Sequence, residues 1–490
     1  MSPLPLYGRR LRNDPFQFVS FTLYMEMSLH THCFVRKITS IGTIKASLTR
    51  EMLTHYFKNI SHLTRPQHKM DKSPAASETA PKYKYIEDCE RLERYCAGGF
   101  YPLKLGDRLC DGRYSIVQNL GFGGSSTVWL ASDQKQQELV AIKIKSANSA
   151  LKSQEVDILK HLHPHPLIRQ LLDNFIEISP NGAHNCLVME TASCSLTQSK
   201  SLAFHGLLDL RIARAIAADL VLAVQFLHGQ SIIHGDIHCG NIFLRLPTDI
   251  RRMIDPSQLY QKFGNPILEP IVRVDGKPLP AGVPTHIVGP ARIGIRSDQI
   301  TPTYLPIMLS DFGSSYYSSK TRRTNAYTLP HLVPPEIFFL DKQNDKYNLS
   351  FPSEIWTLGC TIFEIIGSGG PFSTLGGGIL QDQVSVLGKL PDPWWSQWES
   401  RAEFFNEDAT IDITTGAPFQ DSLEERYDWF VNAARRRSDM EEQGEDEKKA
   451  FLHMIWMMLQ YLPSDRATIR DVVESEWMQK WAFPAKQETE

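Results

Sequence analysis

The octapeptide His234-Gly235-Asp236-Ile237-His238-Cys239-Gly240-Asn241 sits where the hydrophobic period of the chain changes. Before it runs a helical pattern that starts at Asp209 and carries Ile212, Ile216, Leu220 and Val224 on one face. That run ends in Ala223-Val224-Gln225-Phe226-Leu227-His228, and the short β-like stretch Ile242-Phe243-Leu244 follows the octapeptide. A polar loop anchored between a buried helix and a buried strand has little freedom, so its side chains are held where the fold puts them.

The elements around this loop divide the chain. Strand patterns occupy Arg113 to Leu120, Leu139 to Ile144 and Asn185 to Glu190, with one short helix over Ser153 to His161 marked by Val156, Leu159 and Leu162. Helical patterns dominate afterwards, in Ile355 to Ile366 and Lys448 to Tyr461. Strands first and helices later imply an α+β fold in two lobes. Between residues 246 and 305 lies an insert with eleven prolines or glycines from Gly264 to Gly294. Regular structure is not expected there, although enough apolar residues remain for it to pack on a surface.

An Asp followed five residues later by an Asn is the catalytic-loop spacing of phosphoryl transfer, and Asp236 and Asn241 fit it. In that chemistry the Asp accepts the proton of the attacking hydroxyl and the Asn carbonyl ligates Mg²⁺. A polar helix-to-strand turn would give the same pattern, so motifs elsewhere have to decide. Gly121-x-Gly123 follows a strand and would let backbone N–H groups approach phosphates without a Cβ in the way. A stiffer Ser126 stands where a third glycine is usual, and Val128 would cover an adenine. Lys143, in Val140-Ala141-Ile142-Lys143, lies on an apolar strand and needs a counter-charge. Glu155 is the only glutamate between Lys143 and Glu177, which makes it the candidate partner. Asp311-Phe312-Gly313 follows the apolar run Leu305 to Leu309, with Asp311 placed to chelate Mg²⁺ and Phe312 to pack beside His234. Pro334-Pro335-Glu336 closes that segment, and Arg466 far downstream is a candidate buried partner for Glu336.

Taken together these motifs resemble a eukaryotic protein kinase over residues 114–482. Tyr95-Cys96-Ala97-Gly98-Gly99-Phe100-Tyr101-Pro102, Ser125-Ser126-Thr127-Val128-Trp129-Leu130 and Leu387-Gly388-Lys389-Leu390-Pro391 are similar, more narrowly, to the SR-protein kinases (SRPK family). The resemblance implies an N-lobe at 114–190, a C-lobe at 193–482 carrying the insert 246–305, a lead-in at 86–113 and a tail at 483–490. It implies ATP and Mg²⁺, with Asp236, Lys143 and Glu155 catalytic and His238 beside them. ATP would lie against Leu120, Gly121, Gly123, Val128, Ala141, Lys143 and Phe243. Past a gatekeeper Met189, the Glu190 carbonyl and the Ala192 amide would meet adenine. Asn241 and Asp311 would hold the metal. The implied partner is a protein substrate, phosphorylated on Ser or Thr, with Arg/Ser-rich proteins of mRNA splicing as the narrower candidate.

Three positions depart from the family pattern. Gly235 stands where the family has Thr and many kinases have Arg, so no arginine there is expected to read a phosphorylated activation loop. His238 replaces the usual Lys two residues after the catalytic Asp; acting in its place it would have to be protonated, giving turnover that declines as pH rises. Glu354 replaces the central-helix Asp that braces the loop. Two other readings stay open. His234-Gly235-Asp236-x-His238-x-x-Asn241 also resembles aminoglycoside or choline phosphotransferases, and the departures would suit a pseudokinase that only binds.

Charge and cysteines narrow the partners. The formal net charge of −3 gives no pull toward nucleic acid, and no apolar run is long enough to span a bilayer. Eight cysteines without a CxxC pair read as reduced thiols of a cytoplasmic or nuclear protein, expected to be a monomer. Residues 1–85 differ: seven Lys/Arg against two acids from Met1 to Arg50 suit a disordered tail, a mis-assigned start or a mitochondrial transit segment. The mixed-charge run Arg435 to Lys449 reads as a solvated face. Glu399, Glu403, Glu407, Asp408, Asp412, Asp421, Glu424 and Glu425 stand against the single cation Arg401, with Asp392 just outside. Such an acidic stretch would attract a basic peptide.

Overall fold

The computed structural model describes residues 81–149, 154–291, 293–340, 348–373, 378–412 and 421–489. The basic tail therefore lies outside the described residues up to residue 80. Six antiparallel strands make the N-terminal sheet: β1 (Arg108–Leu109), β2 (Tyr114–Phe122), β3 (Ser126–Asp133), β4 (Glu138–Lys145), β5 (Leu171–Ser179) and β6 (Gly182–Glu190), in the order β1-β2-β3-β4-β6-β5. β4 is buried along nearly its whole length. Its central place in the sheet is why its apolar run is continuous rather than alternating. Trp129, Val140, Ile142, Ile144, Cys186 and Val188 form the core of this lobe. Between β4 and β5 the chain forms the short helix α1 (Glu155–His161). Ile158 and Leu159 are buried there, while Val156 is only half-buried.

Two short elements lead out of the sheet, β7 (Ala192–Ser195) and α2 (Leu196–Leu202). The helical lobe is built on α3 (Leu210–Gly229), whose first turn is capped by Asp209 accepting from Arg211 N and Ile212 N. Ile212, Ile216, Leu220 and Val224 are all fully or almost fully buried on it. β8 (Ile232–Ile233) and β9 (Ile242–Arg245) flank the octapeptide, so a short strand intervenes between the expected helix and the loop.

The insert is more ordered than its composition suggests. It contains α4 (Thr248–Arg251), α5 (Pro256–Phe263) and an antiparallel hairpin of β10 (Leu268–Pro270) and β11 (His286–Val288). These elements are short, and tertiary burial sustains them. Leu246, Ile250, Leu259 and Ile293 pack with Val117, Leu130 and Leu139 of the sheet. Ile271, Val283 and Ile287 pack with Leu92, Tyr95 and Phe100 of the lead-in and with Tyr83 just before it. The expectation that the insert packs on a surface holds, and the expectation that it lacks regular structure is corrected.

β12 (Met308–Leu309) and β13 (Tyr316–Tyr317) pair with β9 and β8 respectively and carry the segment around Asp311. Next come α6 (Phe351–Ile366), α7 (Ile379–Leu387), α8 (Asp392–Gln397), α9 (Leu423–Tyr427), α10 (Ala433–Arg437), α11 (Glu445–Met458), α12 (Ile469–Glu474) and α13 (Phe483–Thr489). The last was expected to be a tail. It packs on α3 instead, with Lys486 Nζ 2.8 Å from the buried Asp219 carboxylate. The run Arg435 to Lys449 is only partly a solvated face. Arg435 is fully buried, donating to the Leu208 (3.2 Å) and Ile366 (2.8 Å) carbonyls, so burial of its charge is accompanied by hydrogen bonds to main-chain acceptors.

Glu336 and Arg466 form the expected pair. Arg466 Nη1 and Nη2 donate to the two carboxylate oxygens at 2.8 and 2.6 Å, and Ser353 Oγ donates to the same carboxylate at 2.7 Å. Glu336 is 0% exposed. Removing one member would strand a buried charge, which costs about 3–5 kcal/mol, whereas an exposed pair contributes less than about 1 kcal/mol. Glu336→Ala should therefore lower the midpoint of urea unfolding strongly. Glu474→Ala, which breaks the exposed Arg470–Glu474 pair, should barely move it. Equal shifts for the two variants would contradict the assignment.

Candidate active site

The cleft is organised around one buried lysine. Lys143 on β4 sits opposite Val128 on β3 and Leu187 on β6, which places its amine under the glycine turn. Its Nζ lies 2.8 Å from Glu155 Oε1 on α1 and 2.6 Å from Asp311 Oδ1. Burial alone would lower the Lys143 pKa, but the Glu155 and Asp311 carboxylates outweigh it and the value is raised above the ordinary lysine range. Lys145, two residues on and therefore on the same face, reaches Glu155 Oε2 at 2.6 Å. Glu155 thus serves two lysines. The Lys-x-Lys spacing was the available signal for the second.

Asp311 sits in the left-handed region at φ 62° and accepts from Gly313 N at 3.3 Å, which turns the chain sharply after β12. Phe312 is buried and packs edge-on against His234 with ring centroids 4.8 Å apart, as expected. His234 Nε2 in turn holds the Ser310 carbonyl at 3.0 Å. β9 pairs with β12, and Ser310 N donates to the Asn241 carbonyl at 2.9 Å, so Asn241 and Asp311 come from adjacent strand ends.

Within the loop, Asn241 Nδ2 donates to the Asp236 backbone carbonyl (2.9 Å) and to its carboxylate (3.2 Å). This orients Asp236 and leaves the Asn241 amide oxygen as the acceptor for a cation. Glu354 on α6 does reach the loop: Oε1 accepts from Gly235 N at 2.8 Å and Oε2 meets His228 Nε2 at 2.9 Å. Gly235 has φ 77°, and a Cβ there would stand 2.9 Å from the Ser314 carbonyl oxygen, so both conformation and space favour glycine. The guanidinium near this position belongs to Arg323, which donates to that same carbonyl at 2.6 Å and stacks over Tyr316 and Tyr327. His238 is held by its Nδ1, which accepts from Gly240 N at 3.0 Å, and its Nε2 is 3.6 Å from Asp236 Oδ1. These two contacts hold the ring beside the Asp236 carboxylate.

At the glycine turn, Gly121 N donates to the buried Asn119 Oδ1 (2.7 Å), whose amide nitrogen bonds the Val288 carbonyl of β11 (2.9 Å). The insert therefore anchors the root of the turn. In the base region, Ala141 is buried on β4 opposite Met189, while Leu120 and Val128 lie half-buried along β2 and β3. Phe243 lies on β9, and Ala192 pairs with Arg245 between β7 and β9. The Glu190 carbonyl, expected to meet adenine, is taken by Arg169 Nε at 2.8 Å. Burial draws the Arg169 guanidinium down to about 10, against the opposing pull of the Glu190 and Asp311 carboxylates. No motif pointed to this residue, which follows the apolar pair Leu167-Ile168.

The comparisons agree with this geometry. The model for the protein kinase domain matches residues 114–255 and 296–478. A serine/threonine protein kinase of Aspergillus fumigatus is 24% identical over 79% of this chain and 90% of its own. The serine/threonine-protein kinase SRPK of Physarum polycephalum is 26% identical over 79% of this chain and 91% of its own. SRSF protein kinase 3 of Sus scrofa is 33% identical over 37% of this chain and 34% of its own. A crystal structure of a kinase domain superposes with TM-score 0.50 at 16% identity, covering 77% of this chain and 98% of that one. The chain belongs to the protein kinase family, and among its relatives are SRPK-type enzymes. ATP is accordingly its phosphoryl donor class and a protein its substrate class. Among the described residues no helix is long and apolar enough to cross a membrane.

Asp311 supplies a pH test of the ion cluster. Its pKa lies at about 2: burial would raise it, but the Lys143 charge and hydrogen bond prevail. The folded value is below the unfolded value of about 4, so the stabilisation is complete above about pH 4 and is lost as pH falls toward 2. The stability gap between wild type and Asp311→Asn, read from urea unfolding, should stay level from pH 8 to pH 5 and close below about pH 4. A gap that already closes near pH 6 would refute the pairing.

Proposed function

We propose that this chain is a serine/threonine protein kinase that transfers the γ-phosphoryl group of Mg·ATP to a Ser or Thr hydroxyl. The observation that carries this reading is the assembled Lys143–Glu155–Asp311 cluster, with both carboxylates on one buried amine. A binding-only module has no need to hold it. Lys143 would orient the α- and β-phosphates, and the glycine turn at Gly123-Gly124 would cover them closely because no Cβ stands in the way. Asp236, oriented by Asn241 Nδ2, would accept the proton as the substrate oxygen forms its bond to the γ-phosphorus and the bond to the bridging oxygen breaks. His238, with Nε2 3.6 Å from Asp236 Oδ1, would stand beside the transferring phosphoryl group. A bound Mg²⁺ would supply positive charge to offset the charge that develops on the transferring phosphoryl group. Asp311, whose carboxylate is half open to the cleft, and Asn241 through its amide oxygen are the groups that fit such an ion.

The Glu336–Arg466 pair favours a protein substrate over a small molecule. It pins the segment that begins at Asp311 to the helical lobe, forming a fixed shelf beside the loop for an extended peptide. Asp236→Asn should lower turnover on a serine peptide at least about a hundredfold while changing ATP affinity less than about threefold, measured by peptide phosphorylation and calorimetry. Wild-type turnover in the variant would overturn the assignment.

Arg/Ser-rich proteins are the substrates this reading favours, supported by the relatives' names and by acidic residues of the helical lobe. Glu399, Glu403, Glu407 and Asp408 are exposed on the segment that follows α8. Glu407 meets Arg401 (3.5 Å), Asp421 and Glu424 pair with Arg426 (3.2 Å) and Lys448 (2.9 Å), and Glu425 caps α9, so the attracting surface is smaller than the sequence count. An Arg/Ser repeat peptide should be phosphorylated faster than an acidic peptide of equal serine content, with the advantage shrinking as salt rises. Glu407→Ala with Asp408→Ala should raise KM for the repeat alone. Equal rates on both peptides would exclude this substrate class.

A further inference from the structure

The base region of the cleft holds a cation that phosphoryl transfer does not use. Arg169 stands between α1 and β5, and its backbone N donates to the Leu309 carbonyl at 3.0 Å, which fixes it against the strand leading into Asp311. It is 5% exposed. Its Nε donates to the Glu190 carbonyl at 2.8 Å and its Nη1 to Ser310 Oγ at 3.3 Å. The guanidinium carbon lies 5.2 Å from the centre of the Phe243 ring. The Glu190 carbonyl and the Phe243 face are what a purine would be expected to use here: one takes the hydrogen of a 6-amino group, the other supports the ring. A planar group with N–H donors already meets both.

Two physical consequences follow. An adenine brought to this position would direct an amino donor at a carbonyl that a stronger, charged donor already occupies. A guanidinium that is nearly buried and hydrogen-bonded only to a carbonyl and a hydroxyl, among the described residues, also gains from one further acceptor. The nearest hinge carboxylate, Glu190 Oε1, is engaged by Arg245 at 2.8 Å. A purine with oxygen at position 6 would supply that acceptor.

We propose that Arg169 is a specificity-determining residue of the nucleotide site, weakening the hold on 6-aminopurines and admitting a 6-oxopurine triphosphate as phosphoryl donor. The proposal rests on the phosphotransfer reading of the same cleft. A donor facing a donor, or a buried donor left without its acceptor, changes affinity by about tenfold or more per contact.

The test is calorimetric titration of the full chain with the Mg²⁺ complexes of ATP, ITP and GTP. ITP carries oxygen where ATP carries the amine, so wild type should bind ITP and GTP at least as tightly as ATP. Arg169→Met, with a melting curve taken first to establish that it folds, should shift the ITP-to-ATP affinity ratio toward ATP by about tenfold or more. Arg169→Lys, which keeps a cationic donor, should stay nearer the wild-type ratio. A wild-type preference for ATP above tenfold overturns the proposal even if no variant folds, and so does an unchanged ratio in a folded Arg169→Met. Failure of wild type to bind any triphosphate would instead overturn the phosphotransfer reading itself.

Discussion

A lysine amine with almost no access to water has to be neutralised from close range, and that requirement arranges the cleft. Lys143 draws one carboxylate from α1 and another from the turn after β12. The first fixes the helix against the sheet, and the second fixes the segment running from Asp311 toward Glu336. Since the two carboxylates belong to different lobes, their shared cation makes lobe arrangement and chemical readiness the same condition. Lys145 adds a second hold on Glu155, so α1 is tethered more firmly than one ion pair would tether it.

The opposite wall is held by a carboxylate, an amide and one guanidinium. Glu354 reaches from α6 to the Gly235 amide and His228, while Asn241 ties Asp236 to its own strand end. Gly235 permits close passage of the Ser314 carbonyl, and Arg323 takes that carbonyl from the far side. The loop is therefore braced by Glu354 and Asn241, with the nearby guanidinium supplied by Arg323 rather than by a basic side chain at 235.

What could be read from the sequence was whatever a strong local rule controls. Lys143 and Glu155 were legible because a buried lysine needs a carboxylate and only one glutamate was in range. Glu336 and Arg466 were legible because both lie in recognisable motifs. Arg169 was not, because nothing in Leu167-Ile168-Arg169-Gln170 tells an interior arginine from a surface one; only the pairing of Ile168 with Leu309 turns it inward. The insert was misjudged for a related reason: its prolines and glycines report weak local propensity, whereas burial against the sheet and the lead-in decides its structure. Arg435 looked solvated because its neighbours Arg436 and Arg437 are exposed, and its own place is set by two distant carbonyls.

The insert also changes what length variation at this position could mean. Its residues close the apolar face of β2 and β3, receive the lead-in, and through Val288 secure Asn119 beneath the glycine turn. A connection with those contacts has ceased to be a connection. Shortening it would uncover Val117, Leu130 and Leu139 together and loosen the phosphate-facing turn in the same event. Segments more than a hundred residues apart in the chain thus share one core, and this lobe is completed only after the chain has entered the next one and come back.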